Sequence, residues 1–352
     1  MITVARMALK PGMELAQDAV SLSNGIVVPA DTVLDDNTIK KLARFDIMAV
    51  SIKEPEDYAT THNEKIRLSR AFAHFKQEYD NNLNAYKYLI DSYIKDGTPI
   101  NLDFLVTITN NILKCATTNE KLLDYLYNML PSEDDMTYAH CLNSALIAKV
   151  FGTWLCLPRA DIDTLVLCGY FYDIGKLKLP NKILWKPGKL SDFEFNWMKT
   201  HTQIGYDLLK PLHLNEHIMN ATLMHHERCD GSGYPNHLPE HMIDSFAKYI
   251  AVVDSYEAMT SARSYRTSLN PFQVIANFER TGFDKYNTFI IQPILNHIAL
   301  SQLGMTVKLS NDITGEILLI NQDKLSRPLV KDSKNNIYDL AVMSDISILA
   351  IL

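Results

Sequence analysis

Histidines are concentrated in one part of this chain, where they could bind a metal ion. Of its 11 histidines, seven lie in the 41 residues from His201 to His241. Neutral imidazole is the commonest side-chain ligand for transition metals such as Zn, Fe, Mn and Ni. The concentration therefore indicates a metal site, although helix surfaces also carry histidines by chance. Two members of the group, His213 and His217, are four residues apart and are interpreted as an exposed helix face rather than as ligands.

A carboxylate with no evident partner lies in the apolar segment AKYIAVVDSYEAM. Spacings of four, three and four residues place these residues on one face of a predicted helix: Ala247, Ala251, Asp254 and Ala258. A buried carboxylate without a partner is costly or shifts its pKa, so Asp254 needs a cation nearby. A metal ion would supply that charge, and an arginine partner or a backbone cap is the alternative.

The other candidate ligands lie at predicted helix ends: His140, Asp173, His201, His225 and His226. Asp173 ends the apolar run TLVLCGYFYD, and Gly175 is predicted to stop that helix. Ser191 and Glu194 form a capping box that begins the helix ahead of His201. His140 is predicted to open the helix AHCLNSALIAKVFGTWL.

The elements that must position these residues are mostly helical. Four segments differ in pattern: a small α+β module at 1–55, a helical connector at 56–130, a helical domain at 131–300 and a small β module at 301–352. The connector is predicted to begin with one helix from about 60 to 95. Its stripe of Phe, Tyr and Leu is interpreted either as core or as the seam of a homodimer formed through residues 60–130.

Composition and charge narrow the class of protein. The chain has 352 residues and a formal net charge of −7, which argues against a nucleic-acid polymer or an anionic membrane as a general partner. Its 47% hydrophobic and 21% charged residues exclude wholesale disorder. It has five cysteines without a CxxC pair and no apolar run of about 20 residues, and its first residues are not predicted to be a signal peptide. These features predict a soluble cytoplasmic protein without a membrane span.

The candidate ligands belong to a longer series of motif residues, in this order: His140, Tyr172-Asp173, Lys176, His201, His225-His226, the DGSGYP sequence of 230–235, Asp254 and the RSYR sequence of 263–266. The series resembles the HD-GYP family, whose members are helical, metal-dependent phosphodiesterases of the HD superfamily that hydrolyse cyclic di-GMP. The resemblance covers about residues 130–285, and HHExxDGxGYP is its most specific part. It implies a mainly α fold with an HD-type helical bundle core.

The resemblance implies two metal positions that share Asp173. His140, Asp254 and the family's motif histidine would complete the first position. The ligands of the second would be Asp173, His201, His225 and His226. Mixed imidazole and carboxylate ligands suit divalent Fe or Mn, so one to two such ions are expected per chain. Some relatives hold a third ion through a glutamate at the position of Met136, so no third ion is expected here.

The sequence departs from the family at one position, because the motif histidine is replaced by Tyr172. We expect one tightly held ion and one that is weakly held or absent. Tyr172 could bind metal as a phenolate, although its intrinsic pKa of about 10 makes that costly near neutral pH. Alternatively its ring packs as an aromatic, and water or another side chain fills the gap.

The residues expected to contact substrate are retained. The resemblance assigns Asp173 and Lys176 to catalysis and places Lys176 on a substrate phosphate. Arg263 and Arg266 lie one helical turn apart and would bind the other phosphate. Tyr234 in the GYP loop would border the pocket.

Two classes of function remain open. The first is an enzyme that hydrolyses cyclic di-GMP to pGpG or GMP with a metal-activated water. The second is a degenerate HD-GYP protein that binds cyclic di-GMP, or docks a GGDEF-type or other signalling protein through the GYP loop, with little or no catalysis. Tyr172 is the sequence feature that supports the second class.

Overall fold

The structure is a computed structural model that describes residues 1–21, 24–130, 132–184, 186, 188–261 and 268–352. The chain divides into two units, Met1–Ala73 and His74–Leu352. The predicted substrate contacts Arg263 and Arg266 lie outside the described residues. Within those residues, no helix combines the length and apolar character needed to cross a bilayer.

The first unit consists of short strands and helices: β1 (Ile2–Ala5), β2 (Ala19–Val20), β3 (Ile26–Val28), α1 (Asp36–Arg44), β4 (Ala49–Ile52) and α2 (His62–Leu68). Strand β1 pairs antiparallel with β4, and β2 pairs with β3. A capping box between Asp35 and Thr38 begins α1. Leu42 on this helix is fully buried with Leu15 and Leu34, and these residues form the core of the unit.

The prediction of one helix from about 60 to 95 is wrong, because the chain is extended at Ser69. Helix α2 ends at Leu68, and α3 (Arg70–Asp96) begins two residues later. The Ser69 hydroxyl accepts a hydrogen bond from the amide of Phe72, so the serine caps the new helix. The helical spacing of apolar residues continues across Ser69, so the sequence pattern did not reveal the break between α2 and α3.

Three tyrosines spaced seven residues apart on α3 pack into the second unit. Tyr79 donates to the side-chain oxygen of Asn143 at 2.6 Å, and Tyr86 donates to a backbone carbonyl at 2.6 Å. Tyr93 donates to another backbone carbonyl at 2.5 Å. These contacts assign this part of the aromatic stripe to the core of the unit; the homodimer stays a prediction.

Helices make up most of the second unit: α4 (Leu102–Leu113), α5 (Asn119–Tyr127), α6 (Met136–Trp154), α7 (Arg159–Phe171), α8 (Asn181–Leu184), α9 (Asp192–Lys199), α10 (His201–Leu209), α11 (Glu216–Met224), α12 (Ser245–Thr260), α13 (Pro271–Thr281) and α14 (Thr288–Leu300). The predicted mainly α class is confirmed. Helices α6 and α7 form the central pair, and they approach so closely that a Cβ on Gly169 would lie 2.6 Å from the Cα of Ala145. His140 does not open α6 as predicted, since the helix begins at Met136.

The chain ends in a five-stranded antiparallel sheet: β5 (Thr306–Leu309), β6 (Thr314–Leu319), β7 (Leu329–Asp332), β8 (Ile337–Asp339) and β9 (Ile348–Ile351). The strand order is β8-β7-β6-β5-β9. The side chain of Asn270, which caps α13, donates to the carbonyls of Ile348 and Leu349 at 3.3 and 3.1 Å. These bonds join the sheet to the helical part of the unit.

Candidate metal centre

Helix ends bring the candidate ligands together. Asp173 follows α7 and precedes a 3-10 helix over Ile174–Lys178. His201 is the first residue of α10, which follows α9. The predicted capping box at the start of α9 is confirmed. His225 ends α11. A side chain at a helix end is not confined to one helix face, so neighbouring residues such as His225 and His226 can reach the same centre.

Gly175 has a different role from the predicted one. Helix α7 already ends at Phe171, so Gly175 is not its stop signal. A Cβ at Gly175 would overlap the carbonyl oxygen of His201 and lie 2.6 Å from the amide nitrogen of Gly205. The missing side chain therefore allows the 3-10 helix to pack against the start of α10, which brings Asp173 to His201.

The protons of two imidazoles can be placed from their backbone contacts. The Nδ1 atom of His201 lies 2.6 Å from the carbonyl oxygen of Met198. The Nδ1 atom of His225 lies 3.1 Å from the carbonyl oxygens of Ala221 and Thr222. A carbonyl only accepts, so in each neutral ring Nδ1 carries the hydrogen and Nε2 presents a lone pair.

Both lone pairs converge on Asp173. The two Nε2 atoms are 3.2 Å apart, and they lie 3.3 Å (His201) and 3.5 Å (His225) from Oδ1 of Asp173. This carboxylate oxygen is buried and has no hydrogen-bond partner. Three acceptor atoms with no hydrogen between them repel one another unless a cation lies among them. A metal ion fits this arrangement.

The spacing of these atoms also fits a metal ion. Ligand atoms about 2.1 Å from one ion, at angles of about 90–110°, lie about 3.0–3.4 Å apart. The observed separations are 3.2, 3.3 and 3.5 Å. A fourth donor comes from His226, whose ligand atom lies within 4.8 Å of those of the other three residues.

Two of the imidazoles at this centre, His201 and His226, favour the neutral form that binds metal. Burial lowers the pKa of His201. Burial, together with the neighbouring His225, lowers the pKa of His226 well below its usual range. Burial alone would raise the pKa of Asp173, but the ammonium of Lys176 and the surrounding imidazoles hold it well below the usual range. Neutral histidines and an ionised carboxylate are the states that a metal ion requires.

A second group of ligands lies around His140. Its Nε2 atom is 3.0 Å from Oδ2 of Asp173 and 3.2 Å from Oδ1 of Asp254. Its Nδ1 atom is 2.5 Å from a carboxylate oxygen of Glu257. Asp254 points inward from α12, as its apolar neighbours indicated. The six predicted metal ligands thus meet in two adjoining groups that share Asp173.

Sequence reasoning missed Glu257. This carboxylate is 2% exposed, and it also accepts hydrogen bonds from Asn143 at 3.0 Å and from the hydroxyl of Ser261. It holds the His140 ring in place from the side opposite Asp254. The available signal was its position three residues after Asp254 in an apolar segment, which places both carboxylates on one helix face.

Tyr172 reaches the first group with its hydroxyl oxygen. That atom lies 2.5 Å from Nε2 of His140, 2.9 Å from the hydroxyl of Ser144 and 3.3 Å from Oδ1 of Asp254. The side chain is fully buried, and its ring also packs edge-on against the ring of His225 at 4.9 Å. Burial and the nearby carboxylates, Asp254 first, raise the pKa of Tyr172 well above its usual value.

Lys176 and Tyr234 lie beside the ligands. The ammonium group of Lys176 pairs with the carboxylate of Asp173. The ring of Tyr234 packs on that of His226 with 4.6 Å between centroids. Its loop is fixed by Glu227, which is buried and accepts hydrogen bonds from the amides of Asn236 and Leu238 at 2.7 and 3.0 Å.

His213 and His217 do not form the predicted helix face. His213 follows a short 3-10 turn and has a left-handed backbone with φ of 47°, so it lies outside α11. His217 pairs with Asp244 at 2.9 Å and stacks on Phe246. These contacts give His217 a structural partner away from the metal ligands.

Comparisons with known proteins agree with this geometry. A family model described as HD domain matches residues 124–287. A cyclic di-GMP phosphodiesterase of Pseudomonas aeruginosa is 30% identical over 203 residues, which cover 57% of this chain and 49% of that protein. A cyclic di-GMP phosphodiesterase of Thermotoga maritima is 27% identical over 265 residues, which cover 74% of this chain and 64% of that protein. The chain thus spans less than two thirds of the length of either relative.

A solved structure has the same fold. It is an HDG"Y"P protein from Bdellovibrio bacteriovorus, which matches with a TM-score of 0.51 and 12% identity over 84% of this chain and 99% of that chain. The family model and this shared fold agree with each other, since residues 124–287 of this chain match the HD domain family.

Proposed function

We propose that this chain is a metal-dependent phosphodiesterase that hydrolyses cyclic di-GMP to pGpG or GMP. The observation that carries the proposal is the convergence of Nε2 of His201, Nε2 of His225 and Oδ1 of Asp173 on one point, without hydrogens between them. The substrate comes from the names of the relatives, which are cyclic di-GMP phosphodiesterases. The expected metal is divalent Fe or Mn, because the ligands mix imidazoles with a carboxylate.

The residues around the ligands have separate tasks in this proposal. A metal ion held here supplies positive charge for phosphate oxygens and lowers the pKa of a water molecule. Lys176 brings a second positive charge to Oδ2 of the same carboxylate, Asp173, and binds a phosphate oxygen of the substrate. Tyr234 lies against His226 and borders the substrate pocket. Arg263 and Arg266 bind the other phosphate.

The alternative is a degenerate protein that binds cyclic di-GMP without cleaving it. One observation favours it: the hydroxyl of Tyr172 lies among His140, Asp254 and Ser144, where the family has a metal-binding histidine. A GGDEF-type partner at the GYP loop, a homodimer through residues 60–130 and a cytoplasmic location also stay predictions.

A turnover assay with a matched pair of variants tests the proposal. Wild-type protein loaded with Fe or Mn should convert cyclic di-GMP to pGpG or GMP, as measured by liquid chromatography. His225→Ala should abolish both metal binding and hydrolysis, because it removes one of the converging lone pairs. The control is His241→Ala, which changes an exposed histidine outside both ligand groups. Binding of cyclic di-GMP without turnover in metal-loaded wild type would favour the alternative.

A further inference from the structure

We propose that Tyr172 takes the place of a metal ion in the His140 group, so that the chain holds a single ion at Asp173, His201, His225 and His226. This inference rests on the metal-dependent site proposed above, and it deepens that proposal by fixing the number of ions. It also chooses between the two roles of Tyr172 that the sequence left open.

The distance between Tyr172 and His140 excludes an ion shared by the two side chains. Two atoms that bind one ion at about 2.1 Å and at 90° to each other are about 3.0 Å apart. The hydroxyl oxygen of Tyr172 and Nε2 of His140 are only 2.5 Å apart. That separation is too short for two ligands of one ion but suits a hydrogen bond. A proton, not a metal ion, therefore lies between Tyr172 and His140.

The two ligand groups differ in whether their ring nitrogens have hydrogen-bond partners. Around Asp173 Oδ1, the Nε2 atoms of His201 and His225 face acceptors only. Around His140, both ring nitrogens have hydrogen-bond partners, since Nδ1 meets Glu257 and Nε2 meets Tyr172. The first group needs a cation to be stable, whereas the second is already satisfied by protons.

Tyr172 is held in its position by close packing. Its side chain is fully buried, and its ring contacts the rings of His140 at 5.6 Å and His225 at 4.9 Å between centroids. Its hydroxyl is also held by Ser144 at 2.9 Å. An ion entering beside His140 would have to displace a large side chain from a packed interior, which opens a cavity. Tyr172 is thus a positioning residue that holds His140 and fills the first metal position.

The test counts ions per chain. Wild type, Tyr172→His and Tyr172→Phe are loaded with excess Mn(II), freed of unbound metal by gel filtration and measured by elemental analysis. We expect one ion per chain in wild type, two in Tyr172→His and one in Tyr172→Phe. Histidine adds a ligand and vacates space, whereas phenylalanine keeps the bulk without adding a ligand. Electron paramagnetic resonance should show an isolated Mn(II) ion in wild type and an exchange-coupled pair in Tyr172→His.

Three results would overturn the inference. Two ions in wild type would show that Tyr172 does not exclude the first ion. A tyrosinate-to-iron(III) absorption band in the Fe-loaded wild type, lost in Tyr172→Phe, would show that Tyr172 binds metal. One ion in a folded Tyr172→His would show that something else excludes the second ion.

The phosphodiesterase proposal is judged separately. If wild-type protein holds two ions and hydrolyses cyclic di-GMP, only the proposal of a single ion is refuted. If it holds one ion and does not hydrolyse cyclic di-GMP, only the proposal of a phosphodiesterase is refuted. If Tyr172→His fails to fold, two measurements still test whether Tyr172 excludes the first ion. They are the number of ions in wild type and the absorption spectra of Fe-loaded wild type and Tyr172→Phe.

Discussion

At the scale of single residues, three carboxylates surround His140. Burial alone would lower the pKa of this imidazole, but Glu257, Asp173 and Asp254 outweigh it and raise the pKa of His140 well above its usual value. The same contact with His140 helps to hold the pKa of Glu257 below its usual value against the effect of burial. In the metal-free protein His140 therefore helps Lys176 to offset the charge of the carboxylates.

This arrangement predicts how the stability of the metal-free protein depends on pH. A group whose pKa is higher in the folded state contributes its full stabilisation below its unfolded pKa of about 6.5 and loses it as the pH rises through the folded pKa. We therefore expect the free energy of unfolding of chelator-treated protein to fall as the pH rises above about 6.5. Denaturant titrations at a series of pH values would measure it. His140→Gln should flatten the decline, and an unchanged slope in that variant would contradict the assignment.

Replacement of Tyr172 is also a residue-scale test of catalysis. If the missing imidazole limits the reaction, Tyr172→His should raise the turnover of cyclic di-GMP at least about tenfold, which corresponds to about 1.4 kcal/mol of barrier. The reason is that a second ion would share the neutralisation of phosphate charge. Steady-state assays under metal saturation measure the change. Lower turnover at unchanged metal content would instead identify Tyr172 as a residue on which the reaction depends.

At the scale of elements, the site depends on how closely the 3-10 helix Ile174–Lys178 approaches α10. The contact is between backbones at Gly175, His201 and Gly205, so no flexible side chain can move aside. Asp173 immediately precedes this 3-10 helix and His201 begins α10, so separating the two elements would separate two metal ligands.

Gly175→Ala should therefore damage both stability and metal binding. We expect a loss of at least about 2 kcal/mol in the free energy of unfolding, since the added methyl group forces two backbones apart. Denaturant unfolding and Mn(II) titration measure the two effects. The control is Gly152→Ala in α6, where the nearest neighbour is Cγ1 of the Ile162 side chain at 3.2 Å and not a backbone atom. That variant should stay within about 1 kcal/mol of wild type. Equal effects of the two substitutions would refute the role given to Gly175.

At the scale of the whole molecule, the candidate ligands tie several helices together. Asp173, His201 and His225 lie at the ends of α7, α10 and α11, and His140 and Asp254 lie on α6 and α12. All the ligand groups found among the described residues belong to the unit His74–Leu352. Removal of the metal should therefore act on one unit and spare the other.

Hydrogen exchange followed by mass spectrometry can test this expectation. At a metal concentration 100 times the dissociation constant, binding adds about 2.7 kcal/mol to the stability of the state that binds. Removing the metal with a chelator should speed amide exchange in α6, α7 and α10 to α12. Exchange in Met1–Ala73 should stay the same, because no candidate ligand group lies among the described residues of that unit. Equal changes of the amide exchange rates in both units would contradict the expectation that metal removal affects only the unit His74–Leu352.

The sequence by itself determined the fold class and the identity of the candidate ligands. Helix periodicity and capping residues such as Ser191 and Glu194 act within one or two turns, so a local pattern reveals them. The HHExxDGxGYP series likewise lies on consecutive residues. Asp254 was detectable because its apolar helix neighbours required it to point inward.

Only the tertiary structure decided what these residues do to one another. The contact between Glu257 and His140 joins residues 117 positions apart, and the hydrogen bond between Tyr172 and Ser144 joins residues 28 positions apart. The unpartnered oxygen of Asp173 also depends on contacts between residues distant in the sequence. The role of Gly175 also appears only when α10 is packed against it. Distances between separate elements depend on how the core packs, and no local pattern of residues contains that information.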